Sequence, residues 1–430
     1  MIIPSEINEY VSNYVSNYVN ESSVSKKYAY RVIENSPLIR NKIVSELILK
    51  YNLQDSILDD SSIYYLNQFV KQTITEIVRR YFDHEYNKMN ILYKLEKLKK
   101  LELPEQRTPE WYKMRETMLT ASSLADALGK GHFKTKEDLL IDKSSKDPLP
   151  YFSNDIIEWG VKYEPVATTF YEKINNVNVL EFGLVPHPEF KIFGASPDGI
   201  CDENSSEEYI GRMLEIKCPP VRKFTKEVPE HYWMQMQGQL ETCDLEECDF
   251  LQVKLLEYNS EEEYENDKYL ENEKVKEGYT EYNLPKGLVL TFISYNDKKE
   301  KKYNYEYSKF DQSYDDLKKW SDEIIKNYKN EYSEIKYNWW RIDRYECTLV
   351  LRDREWWMET MPKIIDFWED VEHYRKIGNQ SLIDKKLERK NKRKSKQKKK
   401  KEEKNTNVIE ISKEIQEQIN NSYLLDSDSE

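Results

Sequence analysis

Phe193-Gly194-Ala195-Ser196-Pro197-Asp198-Gly199, followed seventeen residues after its aspartate by Glu215-Ile216-Lys217, decides how this chain is read. Pro-Asp-Gly alone signals a turn, and a hairpin is its plainest reading. The second stretch adds more. On a strand, side chains alternate, so Glu215 and Lys217 share one face while Ile216 points to the other, toward a core. An acid and a base presented together beside a turn aspartate form a compact polar cluster. Left alone, such a cluster is only a surface ion pair of little energetic weight.

Two flanking segments enlarge the cluster. Glu164 lies in Gly160-Val161-Lys162-Tyr163-Glu164-Pro165, within a helix expected over Ile156–Lys173. Gln235 and Gln237 lie in Gln235-Met236-Gln237-Gly238-Gln239, within a helix expected over Tyr232–Thr242. Asp198 and Glu215, with Glu164, are hard oxygen donors suited to Mg²⁺ or Mn²⁺ rather than zinc. An ion held this way polarises a phosphate oxygen and lowers the pKa of a bound water.

These motifs, in this order, resemble the YqaJ-like viral recombinase family, relatives of phage lambda exonuclease within the PD-(D/E)XK nuclease superfamily. Arg107-Thr108-Pro109-Glu110-Trp111 and the run from Arg115 to Thr120-Ala121-Ser122 look like that family's N-terminal motif. The likeness covers about residues 104–256, with a weaker one at Arg352 to Trp368. It implies an α/β (α+β) fold: a restriction-endonuclease-like core with a mixed sheet flanked by helices. It implies that Asp198 and Glu215 bind catalytic Mg²⁺ (or Mn²⁺), with the Ile216 carbonyl and Glu164 completing the shell. Lys217 would activate the nucleophilic water and Gln235 would help position it. Arg115 and Ser122, with Gln237, would hold the DNA and its terminal 5′-phosphate. Ser122 at a helix start also makes independent sense, because free N–H groups there favour an anion.

The rest of the 430 residues falls into blocks. None of the eleven glycines precedes Gly129 and eight lie between Gly129 and Gly238, so the middle reads as strands and turns. Strands are expected at Val177–Val185, Phe190–Ala195, Met213–Lys217, Phe250–Leu256, Leu288–Tyr295 and Tyr345–Leu351. A helix should begin after Thr120, and another should carry Trp356, Trp357 and Trp368 from Arg354 to about Tyr374, kinked or split at Pro362. Those tryptophans read as core rather than as a stacking platform. Residues 1–103 form a helical N-terminal extension, in which Tyr10-Val11-Ser12-Asn13 recurs as Tyr14-Val15-Ser16-Asn17. Residues 104–376 form the nuclease-like domain, with an acidic insertion near 257–287, and residues 377–430 a disordered tail.

Charge and cysteine content narrow the function classes. The net charge of −13 hides thirteen Lys or Arg and three Glu from Lys385 to Lys404, a local net of +10 that leaves −23 on the rest. An acidic body binds DNA only through a locally positive groove or through metal ions that offset its carboxylates. The basic tract reads equally as a solvated end, a nuclear localisation signal or a salt-sensitive DNA contact. Five cysteines without a CxxC pair fit a reducing compartment, and buried thiols are the default for Cys243 and Cys248 over a zinc pair. No apolar run is long enough to cross a membrane, and the start carries no secretion signal, so an intracellular place is expected, host cytoplasm or nucleus if the source is viral. The function read here is a Mg²⁺-dependent DNA exonuclease acting from the 5′ end of linear duplex in viral recombination, repair or genome processing. A structure-specific or nicking endonuclease, and an inactive DNA-associated scaffold, are the alternatives. A homo-oligomer and a single-strand annealing partner protein both remain open.

Overall fold

The computed structural model describes residues 4–51, 60–132, 134–145, 154–221, 224–296, 299–328, 332–392 and 395. Two compact units divide the chain, residues 1–99 and 100–430. Among its described residues the first unit has four helices: α1 (Pro4–Glu21), α2 (Lys26–Asn35), α3 (Pro37–Lys50) and α4 (Asp60–Lys99). Its short repeat is an amphipathic face at i, i+4 spacing. Ile7, Val11, Val15 and Val19 of α1 are buried against Ile43 and Leu47 of α3 and Val70, Ile74 and Val78 of α4.

The second unit runs in order through α5 (Pro109–Glu116), β1 (Leu119–Thr120), α6 (Leu124–Ala127), α7 (Lys136–Ser144) and α8 (Asp155–Asn175). Five strands follow: β2 (Val179–Leu180), β3 (Val185–Pro186), β4 (Phe193–Ala195), β5 (Gly199–Cys201) and β6 (Met213–Lys217). Then come α9 (Glu230–Cys243), β7 (Glu247–Glu257), α10 (Glu261–Asn266), β8 (Tyr269–Glu271) and β9 (Lys274–Lys276). The unit closes with β10 (Lys286–Tyr295), β11 (Lys301–Tyr307), α11 (Tyr314–Tyr328), β12 (Glu334–Leu351) and α12 (Arg354–Ile377).

The strands form a large sheet ordered β11-β10-β12-β7-β6-β5-β2 and a small one ordered β1-β4-β3. Within the large sheet β6 and β7 run parallel and the other neighbours antiparallel. Helix α8 lays Tyr163, Ala167, Phe170 and Tyr171 against Leu214, Ile216, Leu251 and Val253. Helix α12 covers the small sheet, packing Trp357, Ile364, Phe367 and Trp368 with Leu119, Leu124 and Phe193. The tryptophans are therefore core, and the expected α/β fold with a mixed sheet between helices is borne out.

Three features differ from the sequence reading. The single strand expected over Val177–Val185 is two short strands in different sheets. It breaks at Gly183, whose missing Cβ would stand 2.1 Å from the Pro104 carbonyl oxygen. Pro362 does not split α12; the carbonyl it leaves without a donor belongs to Met358, a residue 66% exposed, where water can serve. The segment read as a disordered tail from residue 377 is helical over residues 380–392, where Leu382 enters the core, Lys386 pairs with Asp138 and Arg389 with Glu137. The remainder of the basic tract, but for residue 395, lies outside the described residues.

The acidic insertion is anchored rather than loose. Tyr264 of α10 is 2% exposed and packs on Trp339, and buried Lys286 donates to the Tyr264 and Asp267 carbonyls. β11 and α11 were not foreseen, although Tyr303, Tyr305 and Tyr307 alternate as a half-buried strand should.

Gly238 sets how closely α9 approaches the small sheet. A Cβ there would lie 2.8 Å from Phe193 Cζ and 3.2 Å from Ala121 Cβ. Gly238→Val should push α9 off β4 and cost about 1–3 kcal/mol in stability, read by denaturant melting. An unchanged midpoint would contradict this packing.

Candidate active site

Ser196-Pro197-Asp198 is not a hairpin turn. β4 before it belongs to the small sheet and β5 after it to the large one, so these three residues carry the chain across. The crossing is pinned from three sides. Gln106 Nε2 donates to the Pro197 carbonyl at 3.3 Å, Gln239 Nε2 to the Ser196 carbonyl at 3.3 Å and Trp111 Nε1 to Ser196 Oγ at 3.2 Å. Asp198 is thereby delivered to the neighbouring strand, where the Ile216 backbone N–H donates to its Oδ2 at 2.6 Å.

Strand alternation on β6 then works as the sequence requires. Leu214 and Ile216 enter the core under α8, and Glu215 and Lys217 face away from it. Glu215 is fully buried, which an ionised carboxylate tolerates only with donors. It has three: Gln235 Nε2 at 2.7 Å and Lys217 Nζ on one oxygen, Gln239 Nε2 at 2.7 Å on the other. Glu164, on α8, takes both its bonds from Arg107 Nη2, at 2.9 and 3.1 Å.

The cluster is crowded with negative charge. Burial first, then the Glu215 and Glu164 carboxylates, push Asp198 well above the ordinary range. Burial raises Glu164 as well, against the pull of Arg107 and Lys217. For Lys217, burial works downward, but Glu215 and Asp198 outweigh it and raise its pKa, so it stays an ammonium. Gln239 keeps a buried Oε1 without a partner in the same cluster. Carboxylates drawn near one another against their own repulsion, beside a spare amide oxygen, are of the type a hard divalent cation takes, although with Glu164 on Arg107 the three do not bring their oxygens within 4.8 Å of one another. Asp198, Glu215 and Glu164 would hold it.

Gln239 was missed and Gln237 misassigned, for one reason. Residues i and i+4 share a helix face, whereas i+2 lies about 200° away. Gln235 and Gln239 therefore reach Glu215 together. Gln237, 1% exposed, points elsewhere: its Nε2 donates to the Leu351 carbonyl at 2.9 Å and its Oε1 accepts from the Asp353 N–H at 2.7 Å. It ties α9 to the junction of β12 and α12 and is buried away from solvent, where DNA would have to meet it.

Arg115 and Ser122 do meet, Nη2 to Oγ at 3.1 Å, with Thr120 Oγ1 also 3.1 Å from Ser122 Oγ. The helix-dipole argument for Ser122 weakens, because Ala121–Ser123 is one tight turn before the four-residue α6. Side chains rather than a helix end surround this pair. Arg115 lies over the Trp111 ring at 4.4 Å, and Trp111 in turn reaches Ser196, two residues from Asp198. Beneath that pair, Lys143 Nζ donates to the Arg115 and Met118 carbonyls, and Arg375 donates to the Lys143 and Glu116 carbonyls. Burial, then Arg115 and Arg375, bring Lys143 down to about 7. Three basic side chains thus crowd one place in a chain of net charge −13. Neither Lys143 nor Arg375 carried a readable sequence signal.

Cys243 and Cys248 are buried thiols; burial raises both, Cys243 to about 12, which disfavours the thiolate zinc needs. No described helix is long and apolar enough to cross a membrane.

Comparison with known proteins supports the motif resemblance. Residues 110–246 match the model of the YqaJ-like viral recombinase domain. Uncharacterized protein R354 of Acanthamoeba polyphaga mimivirus is 32% identical over 69% of this chain and 57% of its own length. A protein of African swine fever virus (strain Badajoz 1971 Vero-adapted) is 26% identical over 32% of this chain and 46% of its own. The chain thus spans about half the length of these curated relatives. An alkaline exonuclease, LHK-Exo, from Laribacter hongkongensis aligns with 64% of this chain and 99% of its own, at 18% identity and a TM-score of 0.36.

Two substitutions check this geometry. Gln237→Ala removes two part-buried hydrogen bonds, to the Leu351 carbonyl and from the Asp353 N–H, and should cost about 0.5–1.5 kcal/mol in a denaturant melt. Free of the fold, Lys143 keeps its proton up to its ordinary 10.5; folded, it gives it up near 7. Between those values the folded chain binds fewer protons, so this residue's contribution to stability rises with pH and is lost as pH falls back to about 7. The melting temperature of the native chain should therefore climb relative to Lys143→Met from pH 7 to 10; parallel curves would contradict the burial.

Proposed function

We propose that this YqaJ-like chain is a divalent-metal-dependent deoxyribonuclease that hydrolyses phosphodiester bonds from a 5′ end of linear duplex DNA. The convergence of Asp198, Glu215, Glu164 and Lys217 around one crossing between two sheets carries the reading. Mg²⁺ or Mn²⁺ held by the three carboxylates and the Ile216 carbonyl would polarise the scissile phosphate and acidify a bound water.

The protein's own groups divide the remaining work. Asp198 and Glu215 supply fixed oxygen donors whose positions are set by the Ile216 N–H and by Gln235 and Gln239. Lys217 is held as an ammonium, which makes it a donor and counter-charge rather than a proton acceptor. It orients the attacking water and offsets charge as the phosphorane forms. Arg115, Ser122 and Thr120 form a second anion grip, tied to the first through Trp111 and Ser196. A terminal 5′-phosphate seated there would place the first phosphodiester at a constant reach from Asp198, which is the geometric basis of an exonuclease. The match to the viral recombinase domain, together with relatives from two viruses, supports a role in recombination, repair or processing of viral DNA.

End-labelled linear duplex should lose nucleotides from its 5′-phosphorylated ends with Mg²⁺ and stop in EDTA. Closed circular DNA should stay intact. Glu215→Gln and Lys217→Ala should each lower the rate by on the order of 10²-fold or more, and Arg115→Ala should abolish the preference for a 5′-phosphate over a 5′-hydroxyl. Undiminished digestion by Glu215→Gln would defeat the assignment.

A further inference from the structure

Arg107 belongs to neither the acid–acid–lysine set nor the anion grip, yet it is held in an unusual way. Its φ of 69° lies in the left-handed region that few side-chain-bearing residues adopt. Such residues persist where the surroundings over-determine them, and they gather at functional sites. Here both neighbours are tied down. Gln106 Nε2 donates to the Phe182 carbonyl at 2.9 Å and to Pro197, beside Asp198. Thr108 caps α5 by accepting from the Trp111 N–H, while its hydroxyl donates to the Glu105 carbonyl at 2.7 Å. Between these anchors the turn aims Arg107 at Glu164, where Nη2 bridges both carboxylate oxygens.

The two glutamates of the cluster are therefore treated differently. Glu215 is sealed off and held by two amides and an ammonium. Glu164 keeps 29% of its side chain exposed, and Arg107 keeps 41%, so their pair can open to solvent. Charge counting gives the pair a meaning. A bound divalent ion would ionise all three carboxylates, of which Asp198 and Glu164 otherwise hold protons more tightly than usual. In that bound state Lys217 and Arg107 together leave one positive charge, and with Arg107 displaced none remains.

We propose that Arg107 is a latch on the metal site: its guanidinium stands where a divalent ion must meet Glu164, and loading of the ion proceeds by exchange against it. The latch rests on the metal-site reading above and sets its regulation, by making ion affinity lower than the carboxylates alone would give. Arg107 acts through Glu164 and is thus a positioning residue. Its delocalised guanidinium sheds water more readily than a compact lysine ammonium, which favours the pairing at this partly exposed place.

The test is calorimetric titration of Mn²⁺ into the full chain without DNA. Arg107→Asn suits the turn, since asparagine accepts the left-handed conformation. It should bind Mn²⁺ roughly five- to tenfold tighter than the native chain, the factor expected for losing one partly exposed charge-assisted pair. Arg107→Lys, which keeps the charge and serves if the asparagine variant fails to fold, should bind about two- to threefold tighter. Equal or weaker affinity in a cooperatively melting variant overturns the latch while leaving the metal site standing. Absence of Mn²⁺ binding by every form, or unchanged binding in Asp198→Asn, overturns the metal-site reading and the latch with it.

Discussion

One hydrogen bond, from the Ile216 backbone N–H to Asp198, marks the constraint on which the site depends. The chain must leave the small sheet at Ala195 and join the large one at Gly199, with three residues to make the passage. A backbone that changes sheets in so short a span leaves polar groups unpaired unless neighbours answer them. Gln106, Trp111 and Gln239 do so, from a turn, from α5 and from α9. Each donor also belongs to an element carrying a site residue. The crossing thus registers Glu164, Arg115 and Gln235 against Asp198 as well as joining two layers.

Electrostatics follows from that registration. Bringing Asp198, Glu164 and Glu215 into one half-buried place works against their repulsion, and burial and mutual charge raise Asp198 and Glu164. The fold spends stability to hold such a cluster, offsetting part of it with Lys217, Arg107 and the amides of Gln235 and Gln239. Sites that trade stability for poised charge are where local design rules are expected to give way. The same tension appears beside Arg115 and Ser122, where Lys143 is driven toward neutrality by burial and by Arg115 and Arg375.

Much of this was legible in the residues, and the gaps have physical causes. Period-2 alternation placed Glu215 and Lys217 on one face and Ile216 in the core, because that rule is local to the strand. Helical period would have paired Gln235 with Gln239, but the Gln-Met-Gln motif drew attention to Gln237, which ties α9 to the junction of β12 and α12 instead. Asp198 was legible as a turn residue, whereas the change of sheet depends on partners more than seventy residues earlier. Lys143 and Arg375 gain their surroundings only from tertiary contacts, so no spacing could announce them, and Arg107, read only as part of the N-terminal motif, meets Glu164 through the fold. Helix 380–392 looked like solvated tail because its anchors, Leu382 and two ion pairs to α7, are sparse among lysines.

The central claim is that Asp198 and Glu215 share one cation. Anomalous diffraction from crystals grown with Mn²⁺ tests it most directly. A single strong peak in inner-sphere contact with both carboxylates, with Glu164 turned from Arg107 toward it, is the predicted result. A peak bound elsewhere, with Asp198 and Glu215 facing separate surroundings, would contradict the account.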